Sequence, residues 1–148
     1  MIITSDIIKL AFKDKEPFCA DATYATFTEK ELRWYCKRFY FCAFRRRTQF
    51  WKKTNDCDDK AQGMQWNTNA RYSWYRKDGA QSRAIGEVWY HVDGDPKKGH
   101  AINVAFISEG DRTCAEIFFE PQVAAMKGRL VVLPLTQDEL DSIYFLRF

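Results

Sequence analysis

Apolar positions recur at helical spacing in the stretch that follows Thr28. Leu32, Tyr35, Cys36 and Phe39 fall three and four residues apart, a period that lines one face of a helix. Ahead of them, Thr28-x-x-Glu31 has the form of a capping box, in which hydroxyl and carboxylate satisfy free N–H groups at a helix start. The spacing predicts a helix near 29–44. Cys57, Ala61 and Met64 repeat the pattern, with Asn55 or Asp56 available as N-cap of a second helix. Beyond residue 84 the pattern turns β-rich. Ile85, Val88, Trp89, Tyr90 and Val92 run into Asp93-Gly94-Asp95-Pro96, a turn by composition. Strands at about 100–108 and 112–120 flank Glu109-Gly110-Asp111, and Leu130 to Leu133 reads as another short strand. Thr136-x-x-Glu139 is a second capping box, while Ile143-Tyr144-Phe145-Leu146 equally suits a closing strand.

A helical front half and a strand-rich back half, with no repeat or linker, make one α+β domain over residues 1–148. That length buries a sizeable core. Aromatic residues are abundant, with 12 Phe, 7 Tyr and 5 Trp, so the core is expected to be ring-rich. The net charge of +3 is too small to argue for nucleic acid or a membrane surface. No apolar run approaches the roughly 20 residues of a membrane helix. Asp6 and Lys9 interrupt the apolar N-terminus, which argues against a secretory signal. Five cysteines, Cys19, Cys36, Cys42, Cys57 and Cys114, are odd in number and lack metal-binding spacing. Free thiols in a reducing, cytoplasmic setting, most of them buried, are the expectation.

Three segments carry the chemistry: Asn55-Asp56-Cys57-Asp58-Asp59-Lys60-Ala61, Gly99-His100-Ala101-Ile102-Asn103-Val104 and Phe118-Phe119-Glu120-Pro121-Gln122. They supply a thiol at a helix start, an imidazole opening a strand and a carboxylate closing the next. A thiol attacks as its thiolate, and unpaired N–H groups in the first turn of a helix favour that anion. Asp58 and Asp59 oppose it unless helical spacing turns them away. Gly110 lies midway between His100 and Glu120. A hairpin closing symmetrically there makes the two direct cross-strand partners, with Cβ atoms about 4.5–5.5 Å apart. His91, the other histidine, lies in the preceding strand and competes for the role of base.

These motifs resemble those of papain-like and transglutaminase-like cysteine peptidases, most closely small bacteriophage-type proteins and the C-terminal protease domain of a fungal agglutinin. The similarity spans about residues 50–125. It implies a papain-like fold, Cys57 as nucleophile, His100 as base and Glu120 as the carboxylate orienting it. A cysteine peptidase or amidase working through a thioester acyl-enzyme follows, with a peptide or protein substrate and acyl transfer as a variant. Lys60 departs from the aromatic residue many relatives carry. The oxyanion donor of such enzymes is a glutamine, for which Gln49 and Gln122 are the candidates.

No cofactor is required by this chemistry. Asp56, Asp58 and Asp59, with Glu120 and Gln122, nevertheless supply oxygen ligands of the kind calcium takes; the plainer reading is an acidic helix start favoured by the dipole. Arg45 to Lys53 interleaves basic and aromatic residues, as a nucleic-acid contact would, but a solvated helix end fits better. Trp66, Tyr72, Trp74 and Tyr75 suit a cleft wall or a self-packed loop. The rival class is a non-catalytic binding or host-interaction protein, acting in a host cytoplasm if the bacteriophage likeness holds.

Overall fold

The computed structural model describes residues 1–45, 57–75, 78–108, 110 and 113–148. Its elements run β1 (Ile2–Thr4), α1 (Ser5–Ala11), β2 (Thr23–Ala25), α2 (Glu29–Arg45), α3 (Cys57–Tyr75), β3 (Ser82–Arg83), β4 (Ile85–His91), β5 (Gly99–Ser108), β6 (Cys114–Phe119), α4 (Pro121–Lys127), α5 (Gln137–Asp141) and β7 (Phe145–Arg147). Four strands form an antiparallel sheet in the order β6-β5-β4-β7. A smaller sheet in the order β1-β2-β3 pairs β2 with β1 antiparallel and with β3 in parallel.

The α+β class stands, but the front half is not purely helical, because β1 and β2 precede α2. A further sequence expectation needs correction. Leu130 to Leu133 contributes a single bridge, Phe119 to Val132, in place of a strand. Pro121, just past β6, opens α4. Proline suits a first helical position, where its missing N–H has no intrahelical partner to lose.

Strand alternation splits the core between the two faces of the four-stranded sheet. Val88, Tyr90, Ile102, Val104, Phe106, Leu146 and Phe148 face Ile3, Ile8, Phe12 and Tyr24 of the N-terminal elements. Ile85, Ala105 and Phe119 face the other way, toward Leu32, Cys36 and Phe39 of α2, Met64 of α3, and Ala124 and Ala125 of α4. Both helices bury the stripes that their periodicity announced. Asn103, fully buried in β5, donates from Nδ2 to Ala61 O (2.9 Å) and Gly86 O (3.0 Å), tying α3 to the sheet. Both capping boxes form: Glu31 N bonds Thr28 Oγ1 at 3.2 Å, and Glu139 N bonds Thr136 Oγ1 at 3.3 Å.

Candidate functional site

His100 near the start of β5 and Glu120 just past β6 meet, with Nε2 and Oε2 2.9 Å apart. Their side chains are 23% and 15% exposed, so the pair sits in a partly dry setting that solvent still reaches. The contact arises through a different register from the symmetric one. Asn103 pairs with Phe119 and Ser108 with Cys114, which centres the hairpin one residue beyond Gly110. Continuing that register sets Glu120 opposite Ile102, two positions along from His100. A two-residue offset preserves the side-chain face, and a glutamate spans the diagonal.

Glu120 serves a second purpose. Its Oε1 accepts from Gln122 N at 2.8 Å, making it the N-cap of α4. One oxygen therefore closes the helix start and the other holds the imidazole. This double anchorage fixes the carboxylate orientation without a further partner.

Tyr90 completes the cluster. It is the Cα partner of His100 across β4 and β5, and the rings pack edge to face with centroids 5.9 Å apart. Burial pushes the Tyr90 hydroxyl up to about 12, and negative charge at Glu139, Glu120, Asp93 and Cys57 adds to the shift. In the sequence Tyr90 stands only as one residue of a β-rich run. The signal was present: a hairpin closed around Asp93-Gly94-Asp95-Pro96 pairs the strand residues on either side.

Cys57 is the first residue of α3, half-buried, with Ala61 and Met64 below it on the buried face. The helix packs on the sheet face that carries Asn103, and Cys57 at its start is near enough for a negative charge there to bear on the Tyr90 hydroxyl. Asp59 turns away and lines a separate pocket. Asp58 is half-buried. Gln49, Asp56 and most of the Arg45–Lys53 segment lie outside the described residues. Gln122 is the second residue of α4, and its amide N–H is committed to Glu120. Among the described residues no three His, Cys, Asp or Glu side chains are grouped as metal ligands. His91 stacks on Tyr144 at 4.7 Å instead of approaching the pair. Of the cysteines only Cys36 is buried, its thiol pushed up to about 12 by burial, contrary to the expectation that most would be.

No family model and no curated protein matches the chain. Solved structures sharing its fold include the PSL1a-E64 complex, 17% identical with a TM-score of 0.68 over 99% of this chain and 51% of that one. They also include Polyporus squamosus lectin bound to the human-type influenza-binding epitope Neu5Aca2-6Galb1-4GlcNAc, 18% identical with a TM-score of 0.64 over 99% and 49%. The chain spans about half the length of these structures, and at such identity the likeness defines the fold. It corrects the reading made from the motifs. The printed titles describe ligand complexes, one of them of a lectin, and neither names a peptidase. The papain-like and transglutaminase-like fold, the cysteine-hydrolase activity with its catalytic triad, and the bacteriophage affiliation are accordingly set aside. No described helix is long and apolar enough to cross a membrane.

Proposed function

We propose that this chain is a ligand-binding module whose site is the cluster of Tyr90, His100 and Glu120, with Cys57 at its margin. The observation that carries the reading is the half-buried His100–Glu120 pair. An imidazole and a carboxylate that solvent still reaches stand beside the buried Tyr90 ring, and a hydrogen bond made to a ligand in such a partly dry setting gains strength from the lowered dielectric. The fold is shared with proteins whose structures hold a ligand, E64 in one and a sialylated epitope in the other. A ligand of either kind presents hydrogen-bonding groups that this pair can meet.

E64 is the direct probe. Calorimetric titration should show saturable binding, and bound E64 should shield Cys57 from iodoacetamide while the other four thiols label as before. His100→Ala and Glu120→Ala should each weaken binding by about tenfold or more, the loss expected when a hydrogen-bonding anchor is removed. Unchanged affinity in both variants would move the site elsewhere. Steady release of product from a fluorogenic peptide, abolished in Cys57→Ala, would overturn the binding-only reading outright.

A further inference from the structure

One face of α3 borders a pocket of about 560 Å³ that Ala20, Asp21, Arg147 and Phe148 also line. It lies on the helix face that carries Asp59, Gln62, Trp66 and Asn69, away from the buried stripe of Ala61 and Met64. Its volume is that of a small-molecule site. Trp66 lines it and is 60% exposed, so a large aromatic face is presented with little packed over it.

The polar groups around Trp66 are of mixed kind. Asn69 spends its Oδ1 on Arg83 N at 2.8 Å, leaving the amide N–H groups as donors. Gln65 spends its Nε2 on Ile85 O and Arg147 O, leaving Oε1 as an acceptor. Arg147 is neutralised by Glu87, whose Oε2 accepts from Nη2 at 2.6 Å. Asp21 and Asp59 form no ion pair among the described residues, and both add acceptors to the wall. The two carboxylates repel an anion. A simple cation would engage the two carboxylates but make no use of the Asn69 donors or of the indole face. Hydroxyl groups are donors and acceptors at once and match the whole set. A ring carrying such hydroxyls also has an apolar face to lay on the indole.

We propose that this pocket is a binding site for a neutral polyhydroxylated ring, a mono- or disaccharide, stacked on Trp66 and hydrogen-bonded by Asp59 and the Asn69 and Gln65 amides. It is distinct from the His100–Glu120 cluster and stands without it. The test is NMR titration of the full chain with N-acetyllactosamine, maltose and N-acetylglucosamine, with spermidine as a cationic control, following the indole N–H resonances. At least one sugar should shift the Trp66 resonance saturably at millimolar concentration, and Trp66→Ala and Asp59→Asn should each weaken binding by about tenfold. Both positions are exposed, so the variants should fold, which their amide spectra verify. Sugar affinity should be the same with and without saturating E64, which separates this site from the one proposed above. A Trp66 resonance that no sugar moves, sugar affinity unchanged in Trp66→Ala, or a larger Trp66 response to spermidine than to any sugar would each overturn the proposal.

Discussion

Glu120 concentrates more structural duty than any other residue of the site. One carboxylate oxygen caps α4 and the other holds His100, so the imidazole position depends on a helix start. Replacing an N-cap acceptor with alanine costs about 1 kcal/mol, and Glu120→Ala should lower stability by about that much in urea melts. Glu120→Asp should restore the cap, because aspartate is a preferred N-cap residue. It should not restore the His100 contact, since the side chain is one methylene shorter. The His100 imidazole resonances should therefore shift in both variants while the melting midpoint recovers only in the second. Recovery of both in Glu120→Asp would show that the shorter carboxylate still reaches His100, contrary to this division of roles.

Among the elements, α3 is tied to β4 and β5 by a buried amide. Asn103 makes two hydrogen bonds from one fully buried amide. Asn103→Ala would leave the Ala61 and Gly86 carbonyls without that donor, at a cost of about 1–3 kcal/mol. Gly86 faces a tighter constraint still. A Cβ there would stand 2.9 Å from Arg147 O and 3.0 Å from the Phe148 ring, and the former is backbone. Gly86→Ala should push β7 away from β4 and destabilise by about 1–3 kcal/mol, the usual cost of overpacking. Hydrogen exchange provides the check: amides of 145–148 should lose protection in Gly86→Ala more than those of β5. Uniform loss across the sheet would argue against local displacement of β7.

For the molecule as a whole, buried acidic groups define a stability limit in alkali. Burial pushes Tyr24 and Tyr90 from an ordinary value of 10.0 up to about 12, and Cys36 from 9.0 up to about 12. Each is neutral when protonated. Between the unfolded and folded values the unfolded chain has lost protons that the native chain keeps. Stability is therefore full below about pH 9 and falls as pH rises toward 12. Melting temperature followed from pH 8 to 12 should decline over that window. Tyr24→Phe and Tyr90→Phe should each make the decline shallower, and a flat profile in the parent would contradict the cause assigned here.

The local rules were legible in the chain itself. Thr28-x-x-Glu31 and Thr136-x-x-Glu139 cap the helices they announce, and the apolar stripe from Leu32 to Phe39 is the buried face of α2. These features depend on neighbours within one or two turns, so sequence spacing suffices to specify them. The His100–Glu120 contact was also foreseeable, because two residues flanking one hairpin share its geometry. Its register was not. The closing residues set the hairpin centre, and a shift of one residue there moves the cross-strand partner by two. Long-range placement belonged to the tertiary structure. The split of the core over two sheet faces, with the N-terminal elements on one and α2, α3 and α4 on the other, is a matter of which elements pack where and not of spacing within any of them. The pocket beside Trp66 joins residues 20 and 21 to 147 and 148 across α3. No local pattern encodes such a meeting, since it exists only once β7 has paired with β4 and brought the chain end back against the helix.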